Sequence, residues 1–299
     1  MLAVLAAVLD LLVADSAPKA EPWGPPAVAS PMFESHPAFD PQTHDLYFVR
    51  SDQTFSGWRI LLSRCTEAGY AAPVDAPFAG PGLEADPWFA ADGRTLYYIS
   101  TRATGGRASR DLDIWKTERR PDGGWSAPER LPEPVNSSAA EWFPRLGPDG
   151  WLYFGSARPG GQGGNDIWRA RETNDRWRVE NLGPGVNTAG DEYEPLPTPD
   201  GQALLLEAGS AYFVSARSGA SWGPRRKLGP ALNENGSEIG ALLSPNGRSL
   251  MFARDLGEGR SGELMVIRAG DEAWPPACPG AGRAAQPALS SQADIRGDR

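Results

Sequence analysis

The chain has 299 residues, 40% of them hydrophobic, with 35 Gly, 29 Pro, 11 Trp and a formal net charge of −9. Gly and Pro together fill about one position in five, against roughly 12% in ordinary usage, which argues against long helices, coiled coils and helical bundles. The Trp content argues against disorder, and an acidic balance without a Lys/Arg stripe leaves nucleic acid without a docking surface.

Residues 2–14 form the one long apolar stretch, interrupted by Asp10 and too short to cross a bilayer, so the chain is not expected to span a membrane. Small residues follow at Ala14-Asp15-Ser16-Ala17, as a signal-peptidase site needs, while the basic n-region is missing apart from the N-terminal amine. Residues 1–16 read as a possible signal peptide, which places the protein in the periplasm or outside the cell; a stray apolar helix is the alternative.

Residues 17–278 carry one unit written five times. Glu-x-x-Pro recurs at Glu34–Pro37, Glu84–Pro87, Glu141–Pro144 and Glu192–Pro195, and a fifth copy, Glu238–Ala241, keeps only the Glu. The steps between these Glu residues are 50, 57, 51 and 46, a period that suits a four-stranded blade. Five residues after the Pro position comes Asp92-Gly93, Asp149-Gly150, Asp200-Gly201 or Asn246-Gly247, which supplies the positive φ of a hairpin turn. The first unit reads Pro41-Gln42-Thr43-His44 at this place.

Apolar second strands follow: Leu46–Val49, Leu96–Ile99, Leu152–Phe154, Leu204–Leu206 and Leu250–Phe252. Continuous runs of this kind suit strands buried on both faces. Third strands are read at Asp113–Trp115, Asp166–Trp168, Ala211–Val214 and Glu263–Ile267, and fourth, outermost strands at Trp125, Trp177, Trp222 and Trp274. The expected fold is all-β, a single propeller of five four-stranded blades. Trp23 opens a fourth strand with no unit before it, so it is either a clasp that completes the last blade or the remnant of a sixth. Repetition assigns Trp115, Trp168 and the fourth-strand Trp residues to packing between blades. Residues 279–299, rich in Ala, Gly, Gln and Ser, read as a disordered tail.

The series Glu-x-x-Pro, Pro-Asp-Gly-x-x-Leu-Tyr-Phe, Ser-x-Arg, Gly-Gly-x-Asp-Ile-Trp resembles the WD40-like β-propeller repeat of the TolB type. Pro148–Phe154 through Asn165–Trp168 carry the resemblance best; the fourth unit lacks the Ser-x-Arg loop and the first lacks Asp-Gly. The resemblance implies an exported bacterial protein that binds envelope partners, although the same repeats also form the propellers of prolyl-oligopeptidase-like enzymes.

Cys65 and Cys278, the only cysteines, fall in the first and last units and become neighbours if a ring closes. A stapling disulfide is one reading; two unpaired thiols are the plainer one. His36 and His44 have no companion ligands at metal or catalytic spacing, so both read as ordinary surface or packing residues, and no metal or cofactor is expected. Arg119-Arg120 and Arg225-Arg226-Lys227 read as solvated or edge-protecting charges. The Gly-rich 155–164 segment reads as a blade loop, and no Gly-x-Ser-x-Gly elbow occurs.

Leu-x4-Asn-x4-Glu joins fourth strand to next blade at Asn136/Glu141, Asn187/Glu192 and Asn233/Glu238. The loop after the second strand reaches the same rim with Arg102, Asp113, Arg158 and Asp166. Together these make a candidate polar mouth for a basic peptide or a cation, although Glu accepting backbone N–H bonds, Asn folding turns and Arg pairing with acid would account for each singly. Trp88, Trp142 and Trp151 lie outside the repeat positions and are candidates for a contact patch. The functional expectation is a monomeric, non-enzymatic module that binds a protein or peptide in the cell envelope. The alternative is a carbohydrate-active lyase or glycosidase that uses channel carboxylates.

Overall fold

The computed structural model describes residues 18–105, 111–257, 262–270 and 272–279; the possible signal and nearly all of the tail lie outside them. Five antiparallel sheets follow one another. The first holds Phe33–Phe39, Leu46–Ser51, Arg59–Ser63 and Val74–Asp75, and the second Glu84–Phe89, Thr95–Ser100, Asp113–Glu118 and Glu129–Arg130. The third holds Glu141–Leu146, Leu152–Ser156, Asp166–Thr173 and Arg176–Asn181. The fourth has Tyr193–Pro197, Ala203–Glu207 and Tyr212–Ser218, with two short outer pieces at Ser221–Trp222 and Arg226–Lys227. The fifth has Ile239–Leu243, Ser249–Arg254 and Glu263–Arg268. The first strand of each sheet touches the first strands of both neighbours, so these five close a ring around a central channel. The fold is the expected five-bladed propeller.

The outer strand of the fifth blade is Glu21–Pro22, paired antiparallel with Met265 and Val266, and Trp23 continues the contact by donating its N–H to Leu264 O at 2.7 Å. Trp23 is therefore the clasp, not the remnant of a sixth blade. Trp274 does not open a strand; it is buried and meets Phe39 of the first blade edge-on at 5.9 Å. Pro22 sits where an outermost strand needs no donor.

Hydrophobic contact between neighbouring sheets supplies the core. Leu205, Tyr212 and Val214 of the fourth blade pack on Leu250, Phe252 and Met265 of the fifth, and Ile99 and Ile114 pack on Leu152, Phe154 and Trp168 across the second and third. The repeated Trp residues 115, 125, 168 and 222 are all buried there. Gly93, Gly150, Gly201 and Gly247 take the positive φ that the Asp/Asn-Gly pattern requires, and His44 does so in the first blade.

Cys65 and Cys278 form a disulfide across 213 positions of sequence, which corrects the reading of two unpaired thiols. The segment after the last blade folds back over the first, where Tyr70 Oη also donates to Pro276 O at 3.0 Å. The staple and the clasp close the ring independently. Reduction should therefore lower the unfolding free energy by about 2–4 kcal/mol without abolishing the fold. The check is the denaturant midpoint with and without reductant, with Cys65→Ser/Cys278→Ser expected to match the reduced protein; coincident midpoints would remove the staple from the account.

Candidate functional site

Every first strand carries a bulge at the same place, between Ser35/Ala38, Ala85/Trp88, Trp142/Arg145, Tyr193/Leu196 and Ile239/Leu242. The Pro of Glu-x-x-Pro lies in this interruption of the ladder, where a missing N–H costs nothing. The residue before it takes positive φ in all five blades: His36, Asp86, Phe143, Glu194 and Gly240. Four of the five are not glycine, so the backbone holds strained residues in a ring about the channel.

Those positions break the fivefold symmetry and assemble a buried charge cluster. His36 Nε2 lies 3.4 Å from Glu194 Oε1 and 3.6 Å from Asp86 Oδ1, and the three side chains are at most 4% exposed. The imidazole stacks on Phe143, with ring centroids 5.5 Å apart, and its Nδ1 lies 2.8 Å from Ser35 Oγ. Glu194 accepts the N–H groups of Gly240, at 2.8 and 2.9 Å to its two oxygens, and of Ala241 at 3.2 Å, as well as the Tyr212 hydroxyl. Gly240 is required here, because a Cβ would stand 2.5 Å from His36 N. Burial alone would raise the Glu194 carboxyl, but His36, Tyr212 and the Gly240 N–H outweigh it and hold it below the usual value. Asp86 is raised, because burial outweighs the attraction of His36 and Arg145. Arg145 is 3% exposed, lies over the Trp88 ring at 4.9 Å and reaches the backbone oxygens of Pro144 and Asp86 at 3.3 and 3.5 Å.

This cluster separates two mouths. On the face of the strand-bounding Asp/Asn-Gly turns, all five blades line a cavity of about 350 Å³ that includes Trp88, Phe39, Leu146, Pro199, Leu242 and Trp274. On the opposite face a smaller pocket of about 40 Å³ is walled by Phe55, Trp58, Trp142 and Phe143, with His36 and Asp86 at its base. Among the described residues, no group of three His, Cys, Asp or Glu side chains could hold a metal ion. No helix among them is long and apolar enough to cross a membrane.

The residues singled out from the repeats lie on the smaller pocket's side, within the inter-blade connections. Asn136, Asn187 and Asn233 each accept the N–H of Ile114, Ile167 or Tyr212 and donate back to the same residue's carbonyl. Glu141, Glu192 and Glu238 are at most 4% exposed. They accept backbone N–H groups of Ser137, Thr188 and Glu234, each four residues upstream. Each also pairs with an Arg: Glu141 with Arg158 at 2.8 Å, Glu192 with Arg225 at 2.6 Å, Glu238 with Arg254 at 2.8 Å. Glu34–Arg50 and Glu84–Arg102 complete the set. Asp113 is paired with Arg130 through two bonds of 2.8 and 2.7 Å, and Asp166 accepts from Asn181 at 2.8 Å. Burial raises the Glu34, Glu84 and Glu141 carboxyls in spite of their Arg partners.

Three readings of single residues are corrected. Arg225 is not an edge charge, because the fourth blade lacks the Ser-x-Arg loop and Arg225, between the two short outer strand pieces, supplies the cation instead. Arg119 pairs with the buried Asp40 of the first blade and lies 4.6 Å over Trp125. His36 is neither a surface residue nor ordinary packing, since its ring sits between two buried acids. The sequence signal for His36, Asp86, Phe143 and Glu194 was the second variable position of Glu-x-x-Pro, where the units differ. Trp142 walls the smaller pocket, Trp88 the larger cavity, and Trp151 has the guanidinium groups of Arg169 and Arg171 over its ring at 4.3 and 4.4 Å. Phe55 and Trp58, absent from the sequence candidates, come from the first blade's loop after its second strand.

No family model matches the chain, and no curated protein does. Solved structures similar to it include TolB from Acinetobacter baumannii, at 18% identity and a TM-score of 0.52, covering 82% of this chain and 56% of that one. The chain thus spans little more than half the length of that TolB. A putative TolB from Agrobacterium tumefaciens is 17% identical at a TM-score of 0.48, covering 76% of this chain and 72% of that one. XC5397 from Xanthomonas campestris, a gluconolactonase, is 16% identical at 0.49, covering 90% and 83%. At these identities the TolB likeness is one of fold.

Two outcomes test the energetics of the site. Glu141→Ala leaves Arg158, 8% exposed, without its counter-charge, and should cost about 3–5 kcal/mol in denaturant unfolding. Glu141→Leu with Arg158→Met should cost less than Glu141→Ala alone; a larger cost would contradict the pairing. Burial, with Glu194 nearby, pushes the Glu207 carboxyl up from 4.5 to about 7. The folded state therefore keeps a proton that the unfolded chain releases, so this group's stabilisation is complete below its unfolded value and is lost as pH rises through about 7. Glu207→Gln should flatten the decline in stability over roughly pH 5–7 and match the parent near pH 4. Parallel pH profiles for the two proteins would refute the shift.

Proposed function

We propose that the protein is a non-enzymatic binding module that takes an apolar segment of a partner protein or peptide into the larger mouth of its channel. The observation that carries this reading is the cavity of about 350 Å³ lined by apolar side chains from all five blades. That volume lies within the range of about 300–1,000 Å³ usual for binding pockets, and five walls fix the position of whatever enters.

The charge chemistry supports binding over turnover. General acid–base work needs carboxyls within hydrogen-bond reach of a substrate, whereas Asp86 and Glu194 are enclosed and already accept bonds from the protein. The Asn136/Glu141, Asn187/Glu192 and Asn233/Glu238 sets, together with Arg102, Arg158, Asp113 and Asp166, belong in this reading to the framework that carries the mouth. The disulfide favours an oxidising compartment, and with the TolB-type repeat it supports an exported, periplasmic or secreted location.

Ala91 of the second blade and Pro245 of the fifth are both exposed on the rim of the larger mouth. Ala91→Arg and Pro245→Arg should each obstruct entry while leaving the thermal melt unchanged. Cross-linked capture from the protein's own envelope extract should retain a defined partner with the parent and lose it with both variants. Equal retention would refute the mouth as the site, and turnover of gluconolactone or an oligosaccharide panel would move the assignment to an enzyme.

A further inference from the structure

The outer edges of the five blades are not alike. In four of them the outermost strand is a two-residue piece or a pair of such pieces: Glu21–Pro22, Val74–Asp75, Glu129–Arg130, and Ser221–Trp222 with Arg226–Lys227. Pro22, Pro73, Pro128 and Pro224 stand in or beside these pieces, which leaves little backbone for another strand to pair with. The third blade ends differently. Its outer strand, Arg176–Asn181, is six residues long and free of proline, and among the described residues no further strand pairs with its outer side.

The register shows which backbone groups that edge presents. Leu182 N–H donates to Ile167 O at 3.1 Å, and the ladder continues with Glu180 opposite Arg169, Arg178 opposite Arg171 and Arg176 opposite Thr173. Antiparallel pairs alternate, so these outer residues turn their N–H and C=O inward. Those of Trp177 and Val179 point outward, away from the sheet.

Alternation also gathers charge. Arg169, Arg171, Arg176 and Arg178 share one face of this edge, with Glu180 as the acid among them. Glu180 takes Arg169, at 2.8 Å, and Arg178. Arg171 donates to the backbone oxygen of Asp149, whose carboxylate is held by Arg217 at 2.9 Å. Asp175 lies in the turn that precedes the strand, yet neither Arg171 nor Arg176 has an acidic partner among the described residues. Arg171 and Arg178 stand directly opposite each other, a placement of like charges that is destabilising on its own. In a chain of net charge −9 this is a local surplus of cations beside an open strand edge.

We propose that this edge accepts an added strand from a protein partner, an extended segment with acidic residues at alternate positions. Main-chain bonds to Trp177 and Val179 would hold the segment. Its acids would lie opposite Arg176 and Arg178, where non-hydrogen-bonded pairs bring side chains closest. The residue between them falls on the other face beside Trp177 and Val179, both half-buried, and an apolar side chain suits it. A second copy of the same edge is disfavoured, because antiparallel self-pairing sets Arg against Arg. The site lies on the outer rim of the third blade, away from the channel, and does not depend on the reading of the larger mouth.

The probe is the heptapeptide acetyl-Thr-Val-Glu-Val-Glu-Val-Thr-amide, titrated into the ¹⁵N-labelled full chain. Saturable shifts of the Trp177 and Val179 amides, with slower hydrogen exchange at both, are expected at a dissociation constant on the order of 1 mM. Replacing both Glu of the peptide by Lys should weaken binding about tenfold. A third peptide keeps the Glu residues and carries N-methyl groups on its Val residues, so it retains the charge, loses the donors of the added ladder and should not bind. Arg176→Glu, at an exposed position, should reverse the preference between the Glu and Lys peptides. Val179→Pro removes an outward N–H, leaves the inward ladder in place and should abolish binding. Thermal melts establish that both variants fold; if Val179→Pro does not, the N-methylated peptide decides that point alone. No saturable shift, or equal binding of the N-methylated peptide, would overturn the added strand. Equal binding of the Glu and Lys peptides would overturn the acidic assignment. Protection of the Trp177 and Val179 amides that grows with the concentration of the free chain would overturn the partner assignment in favour of a second copy.

Discussion

One buried ion pair, used five times, holds this molecule together. Each blade is entered through a Glu whose carboxylate binds an Arg, and each of these guanidinium groups lies about 5 Å over an aromatic ring of its own blade: Phe48, Tyr98, Phe154, Phe213 and Phe252. All five Arg residues also donate to carbonyls of the incoming connection, those of Val28, Phe78, Pro134, Val186 and Ala231. The connection between sheets is thereby anchored to the blade it enters. A charge removed from water is costly, and the raised carboxyls of Glu34, Glu84 and Glu141 record that cost. What it secures is the attachment of each connection to the blade that it enters.

The same motif then sets up the asymmetry at the centre. Glu fixes the connection and Pro occupies the bulge, so the residue between them is turned toward the channel whatever its identity. Where that residue is His36, Asp86 or Glu194, the channel acquires charge; where it is Phe143, it acquires an aromatic wall; where it is Gly240, it acquires space for His36 and a donor for Glu194. A repeated scaffold thus presents five non-identical residues at one place. The resulting plug divides the channel into an apolar mouth and an aromatic pocket, two environments with different chemical preferences.

Sequence reasoning reached the architecture because the architecture is periodic. The spacing of Glu-x-x-Pro, the Asp-Gly turns and the paired Trp positions each report a contact made several times, and several weak signals in phase become one strong one. It missed what occurs once. Arg225 replaces a missing Ser-x-Arg loop from between the two outer strand pieces, and nothing in the local pattern marks it. Phe55 and Trp58 sit in a loop without counterparts in the other blades. His36 was visible, but its neighbours Asp86 and Glu194 are 50 and 158 positions away, and only the closed ring brings them within 4 Å. The pairing of Cys65 with Cys278 has the same cause, a proximity that depends on closure.

The outer strand of the fifth blade has a consequence for the order in which the molecule comes together. Glu21 and Pro22 are made before any other described strand, yet their ladder partners Val266 and Met265 are among the last strand residues to be made. The intervening loop encloses every other blade, so its closure entropy falls on a single late event. Early blades can form their local hairpins as the chain lengthens, while the first blade waits with an open flank for the fifth. Contacts of such high sequence separation slow folding, and they make an incomplete ring adhesive along that flank. A chain released before residue 268 would lack the strand that its own N-terminal segment is shaped to meet.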